Sequence, residues 1–335
     1  MKNLIKAVVL LLSMVTGAAV HAQTDPHFSQ YYVYPLWLNP ALTGVMDGDY
    51  RVTAVYRNQW GSVSSPFSTP GVSADFVTNK NVNLGMNIMN QRTNTGGYNY
   101  LSAYGTMSYT GVRFGDHQIT MGLAFGLINR RFDPSKFQTG DQWNPITGYN
   151  PSGGGTEVLG KTSALSFDAG AGIMYFDGTP GKKANVFAGF SAYHLTQPED
   201  PFITGGTHEK MPVRYTGHGG IKLNVSEGVS FTPNLLYMRQ GNAEEKMAGA
   251  YAQLRVNEEA DFVIGANYRF KDAMSPYAGI YYKNFAIGVS YDVNASDLSK
   301  AAGNANSFEI SLSFFGRSRR GGATADAVPF VHPRL

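Results

Sequence analysis

The side chains of this chain that could do chemistry are its histidines and carboxylates, because it contains no cysteine. That absence removes thiol nucleophiles, thiolate–zinc sites and disulfides together, and it also removes any lipid anchor carried on a cysteine. Seven histidines occur, at His21, His27, His117, His194, His208, His218 and His332, and none has ligand-like spacing. No H-E-x-x-H, G-x-S-x-G or phosphate-binding glycine loop is present. His194 and Asp168 fall on neighbouring predicted strands and can meet. With no nucleophile beside them they read as a histidine satisfied inside a polar interior rather than a catalytic pair. Asp133, Asp141 and Glu157, in one long predicted loop, offer oxygens to Ca²⁺, but their spacing matches no known calcium loop. Gly85, Gly122, Gly126, Gly170 and Gly172 sit inside predicted strands, where glycine marks bends and clearance rather than a nucleotide site. The expectation is a protein with no catalytic residue, no cofactor and no metal. A net charge of +3, dispersed along the chain, gives no basic stripe for nucleic acid.

The elements that hold these residues are strands with two unlike faces. Phe285, Ile287, Val289, Tyr291 and Val293 interleave with Ala286, Gly288, Ser290 and Asp292, and Phe308, Ile310, Leu312 and Phe314 with Glu309, Ser311 and Ser313. Tyr50, Val52, Ala54 and Tyr56 likewise oppose Arg51, Thr53, Arg57 and Gln59. This is the period of two that a strand imposes. About fourteen such strands fit between residues 50 and 316, an even number. Tight connections (Asn79–Asn81, Ser226–Gly228, Asn257–Glu259, Lys283–Asn284) fall in even places along the series. The long ones, Asp133–Gly160, Gln197–Met211 and Asn294–Ala305, fall in odd places. All long loops therefore lie on one side, as in outer-membrane barrels.

Residues 1–22 read as a cleaved export signal, with Lys2 and Lys6 before an apolar run and Val20-His21-Ala22 at the cleavage site. The apolar run is too short to cross about 30 Å of hydrocarbon as a helix. No second helical span follows, and only helices or closed sheets satisfy the backbone in lipid. A mean hydropathy of −0.21 agrees with strands that put half their side chains against lipid. The predicted fold is an all-β transmembrane antiparallel barrel. The predicted organisation is a signal at 1–22, an N-terminal periplasmic segment at 23–49, the barrel at 50–316 and a tail at 317–335.

The 23–49 segment is unlike the rest. It contains Asp25, Pro26, His27, Phe28, Ser29, Gln30 and Tyr31, then Pro35, then Asn39, Pro40, Ala41, Leu42, Thr43 and Gly44. It has no strand alternation, and three prolines keep it out of a sheet. Tyr31, Tyr32, Tyr34, Trp37 and Leu38 call for burial, against the inner wall of the barrel or its periplasmic rim.

This segment resembles the opening signature of the PorP/SprF family of the Bacteroidetes type IX secretion and gliding system. Further stretches agree: Tyr56-Arg57-Asn58-Gln59-Trp60, His194-Leu195-Thr196-Gln197-Pro198, and Ser290-Tyr291-Asp292-Val293-Asn294 followed by Leu298 and Phe308–Leu312. The resemblance spans nearly the whole chain except the tail. It implies a non-enzymatic outer-membrane component that delivers or anchors a large exported surface protein, often an adhesin, by binding its C-terminal sorting domain. It also implies contact with periplasmic ring or motor components. Asp25, Pro26, Phe28, Ser29, Gln30, Tyr31, Pro35, Asn39, Pro40, Ala41, Gly44, Arg57, Gln59, Trp60, Tyr291 and Asp292 are the signature positions expected to serve structure or partner binding. The rival readings are a passive pore and a periplasmic-ring scaffold.

Overall fold

The computed structural model describes residues 25–61, 65–78, 80–93, 97–136, 142–144, 146–150, 161–199, 210–296 and 306–317. The signal at 1–22, Leu298, the tail beyond Arg317, and Asp141 and Glu157 of the calcium reading lie outside them.

In chain order the strands are β1 (Tyr50–Gln59), β2 (Phe67–Phe76), β3 (Val82–Thr93), β4 (Tyr98–Phe114), β5 (His117–Phe132), β6 (Trp143–Asn144) and β7 (Gly148–Tyr149). They continue with β8 (Ser163–Asp177), β9 (Ala184–Tyr193), β10 (Arg214–Ser226), β11 (Val229–Gln240), β12 (Ala243–Asn257), β13 (Ala260–Arg269), β14 (Ala273–Tyr282), β15 (Phe285–Asn294) and β16 (Ser307–Gly316). Strands β6 and β7 form a separate small hairpin in the long 133–162 connection. The other fourteen close into one barrel in which each pairs antiparallel with its neighbour, β5 with β8, and β1 with β16. One rim carries the short turns and the start of β1 and end of β16 (the turn end). The other carries the 133–162, 194–213 and 295–306 connections (the loop end). Two loop-end connections are also short, Gly241–Asn242 at two residues and Phe270–Asp272 at three.

Burial is inverted relative to a water-soluble sheet. Val72, Met86, Ile88, Phe125, Leu235, Ile287, Val289, Ile310 and Leu312 point outward and are exposed, whereas Asp75, Asn87, Thr120, Asp168, Asn234, Asp292 and Glu309 point inward and are buried. Water would not tolerate such a girdle, and hydrocarbon requires it. No helix among the described residues is long and apolar enough to cross a membrane. The wall crosses with strands.

The proline-rich segment packs along the inner wall, from Asp25 at the loop end to Gly44 at the turn end. Its middle is dry: Leu36, Asn39 and Ala41 are 0% exposed. Two short turns shape it. A single helical turn at Pro35–Leu38 ends where the Asn39 N–H donates to the Pro35 carbonyl at 2.9 Å. A 3-10 turn at Pro40–Leu42 begins where the Asn39 side chain accepts from the Ala41 N–H, also at 2.9 Å. Proline opens both turns because its missing N–H is not needed there. Gly122 of β5 makes room for the second turn, since a Cβ there would stand 2.2 Å from the Pro40 carbonyl carbon.

Candidate functional site

Three groups of wall residues grip the segment, and they use different chemistry at different depths. At the loop end, Asp25 accepts from His194 Nε2 at 2.7 Å and from Arg214 Nη1 at 2.8 Å. His194 Nδ1 lies 2.8 Å from Asp168, which also accepts from the Tyr104 hydroxyl at 2.6 Å and from Thr196 at 3.0 Å. The histidine is thus bridged between two carboxylates, one on the segment and one on the wall. Local backbone presents it: His194 takes φ +60°, and Gln197 donates its N–H back to the His194 carbonyl at 3.0 Å. Burial alone would raise the pKa of Asp25, but His194 and Arg214 outweigh it and hold the carboxyl at about 2. For His194 burial opposes the cation, yet Asp25 and Asp168 carry its pKa up to about 9. The Arg214 guanidinium also lies over the Trp37 ring at 4.1 Å and the Tyr193 ring at 4.7 Å, so one cation ties charge and aromatic contacts together.

The second grip centres on Ser29. Its N–H and that of Gln30 donate to the two oxygens of Glu309, at 2.6 and 2.9 Å. The Ser29 hydroxyl donates to Asp292 at 2.7 Å and accepts from Arg57 at 3.0 Å and Arg269 at 3.2 Å. Arg57 pairs with Glu309, and both Arg57 and Arg269 reach Asp292 at 2.9 Å. Asn267 donates to the Ser29 carbonyl at 3.0 Å, and Gln30 exchanges hydrogen bonds with Ser290 and Ser311. His27 sits above this lattice, with Nε2 3.4 Å from Arg57 and Nδ1 3.7 Å from Glu245. Burial first, and then Arg269 and Arg57, hold His27 well below its ordinary pKa. Every charge here has an opposite neighbour, which is the condition for keeping charges out of water.

The middle and turn end rely mainly on neutral groups. Tyr31 donates to Asn234, Tyr34 to the carbonyls of Val72 and Ile88, Tyr193 to the Leu36 carbonyl, and Ser191 to the Leu38 carbonyl. Asn39 reaches the Ile173 carbonyl at 3.1 Å and His218 at 3.2 Å. Thr43 meets Thr106 at 2.9 Å, and Ser108 donates to the Thr43 carbonyl at 2.6 Å. An ion pair enters at Gly44, whose N–H donates to Asp75 at 2.7 Å while Arg51 holds the same carboxylate at 2.7 and 3.0 Å. Gly44 takes φ +71°, and a Cβ there would meet the Asn83 side chain at 2.4 Å, so glycine is needed on both counts.

Signature positions far apart in sequence therefore meet in space. Asp25, Ser29, Gln30, Tyr31, Asn39, Ala41, Gly44, Arg57 and Asp292 all take part in these grips. Pro26 accepts from the Trp37 indole at 3.0 Å, Phe28 packs edge-on against Tyr34 at 5.5 Å, Pro35 and Pro40 open the turns, and Gln59 is buried nearby. Two positions lie elsewhere. Trp60, at the end of β1, donates its N–H to Ser307 and packs on Phe67. Tyr291 points outward and is 48% exposed. The expected meeting of His194 and Asp168 occurs, with His194 satisfied on both nitrogens. Asp133, the described member of the calcium reading, is taken up by the Ser135 N–H and hydroxyl. No group of three or more His, Asp or Glu side chains among the described residues is arranged to hold a metal ion. Glu309, Arg269, Arg214, Arg51 and Asp75 were not singled out from sequence as site residues. The available signal was a charged residue on the inward face of an alternating strand.

Solved structures with the same architecture are outer-membrane barrels. The Ralstonia pickettii toluene transporter TbuX is 12% identical, with 88% of this chain and 95% of that one covered and a TM-score of 0.51. The monoaromatic hydrocarbon channel CymD is 10% identical over 85% and 93%, with a TM-score of 0.48. The Pseudomonas putida toluene transporter TodX is 8% identical over 83% and 92%, also at 0.48. At such identities the likeness is one of fold alone. No curated protein matches the chain. The family model for the type IX secretion system membrane protein PorP/SprF matches residues 20–314, from the lumen segment through to the last strand, and the chain belongs to that family of outer-membrane barrels.

Proposed function

We propose that this barrel receives or anchors a large exported protein of the type IX system at the cell surface, by binding its C-terminal sorting domain without catalysis. The observation that carries the reading is the occupied lumen. Residues 25–45 are held by the wall along the barrel's length, and the middle of the segment is closed to water. A barrel built this way serves as a rigid platform better than as a conduit. Its outer contacts then fall to the loop end. There the β6–β7 hairpin presents Trp143 on β6, 64% exposed, and Ile146 between the two strands, 93% exposed. Exposed apolar side chains on a loop suit a protein partner. The segment braces the platform from within, and ring or motor components would meet the turn end.

Gentle purification of the tagged protein from its native outer membrane, followed by mass spectrometry, tests this. The expected result is a stoichiometric large secreted chain bearing a type IX sorting domain, lost from the Trp143→Ala/Ile146→Asp variant. A barrel that purifies alone under repeated mild conditions would contradict the proposal.

A further inference from the structure

The Ser29 lattice lies across the join between the first and last strands. Arg57 is on β1 and Glu309 on β16, and the two are register partners. Asp292 on β15 and Arg269 on β13 extend the lattice along one side of the join. Deeper on the same inner face, the side-chain oxygens of Thr53 and Ser313 meet across it at 2.9 Å. At the turn end the Asp49 N–H, just before β1, donates to the Gly316 carbonyl at 2.8 Å.

This join differs physically from the other strand pairs. Its two strands come from opposite ends of the barrel sequence, so closing it carries the largest loop-closure entropy of any pair in the sheet. An unclosed edge in hydrocarbon leaves a row of N–H and C=O groups without partners. The segment supplies what the join lacks. It is tethered directly to β1, and two of its consecutive main-chain N–H groups take both oxygens of a β16 carboxylate. It therefore binds the last strand while being covalently part of the first. Without the segment, Glu309 would keep Arg57 and lose two donors, and the Asp292–Arg57–Arg269 set would lose the hydroxyl at its centre.

We infer that residues Asp25–Gly44 are an internal clasp that closes the barrel, with the Glu309 carboxylate as the receiving group on β16. The segment docks as β1 meets β16, and the two events stabilise each other. The role is distinct from any partner at the loop end and holds whatever the barrel carries.

A chain without cysteine allows a clean test. In mild detergent, the compact gel species of the Glu309→Gln protein should convert to the unfolded species about 10 °C below wild type, the order expected for loss of one partner in a buried charge network. An oxidised Thr53→Cys/Ser313→Cys pair, across the join, should restore the wild-type transition in the Glu309→Gln background. An oxidised Ser230→Cys/Gln253→Cys pair, between register partners on β11 and β12, should not. If Glu309→Gln does not assemble at all, recovery by the first pair alone carries the same meaning. An unshifted transition, equal rescue by both pairs, or rescue by neither would overturn the clasp.

Discussion

The two ends of the Asp25–Gly44 segment are held in opposite ways. At the loop end the grips are ionic: Asp25 with His194 and Arg214, and Ser29 at the centre of Arg57, Arg269, Asp292 and Glu309. At the turn end the grips are mainly hydroxyls and main-chain groups, and among the described residues the ion pair that touches the segment there is Asp75 with Arg51. A charge lattice is rigid while complete and costly once a member is removed, because the remaining charges stay buried without compensation. Neutral hydrogen bonds fail one at a time and at about 1 kcal/mol each. The difference makes the loop end the all-or-none hold on the segment and the turn end the graded one. Asp25, His27 and His194 give the loop end its dependence on pH.

The comparison can be broken by substitution. The largest effect is expected from Arg57→Ala, which leaves Glu309 buried without a cation and Asp292 with Arg269 alone, and should lower stability by about 3–5 kcal/mol in thermal unfolding in detergent. Trp37→Ala follows, at about 3 kcal/mol, because it opens a cavity between Tyr104 and Tyr193 and removes the ring under Arg214. Ser108→Ala, the matching change at the turn end, removes one neutral hydrogen bond to the Thr43 carbonyl and should shift the same transition by about 1 kcal/mol. A Ser108→Ala protein as unstable as Arg57→Ala would end the distinction between the two ends. The exposed Lys246–Glu244 pair should be silent, and Lys246→Ala is expected to melt with wild type.

Titration sharpens the same contrast. Asp25 has a folded pKa depressed to about 2, so its contribution is complete above the unfolded value near 4 and is lost as the pH falls from about 4 to 2. His194 is raised to about 9, so its contribution is complete below about 6.5 and is lost as the pH rises through 9. His27 is depressed, so keeping it docked is opposed as the pH falls below about 6.5. The hold on the loop end is therefore strongest near neutral pH. Hydrogen exchange of residues 25–31 should quicken at both acid and alkaline pH. His194→Gln should flatten the alkaline limb and also weaken the acid one, because His194 is one of the two cations that depress Asp25. Exchange of residues 25–31 that stays constant across the pH range would count against the assignment.

Much of the fold was legible because a barrel is a repetitive object. A period of two over fourteen strands, with long loops sorted to one side, specifies it without knowledge of any contact. The burial of Tyr31, Tyr32, Tyr34 and Trp37 was legible too, since such a cluster has no stable place in water. The grips themselves were less so. Glu309 lies 280 residues from Ser29, and nothing local marks it as a partner of two main-chain N–H groups. Around a closed barrel, which inward charges meet depends on register, and register is set by every turn between them. Arg269 and Arg214 escaped notice for that reason, as did the second carboxylate on His194. Tyr291 shows the complementary limit: it stands next to Asp292 in the signature, yet the pleat sends the two side chains to opposite faces.

The central claim is that the chain's own segment fills the lumen, and single-channel recording in planar bilayers tests it most directly. The account predicts that the intact protein passes no steady current. It predicts that a variant lacking residues 25–44, held closed by the oxidised Thr53→Cys/Ser313→Cys pair, opens a stable conductance. A steady open channel in the intact protein, unchanged by removing the segment, would contradict it.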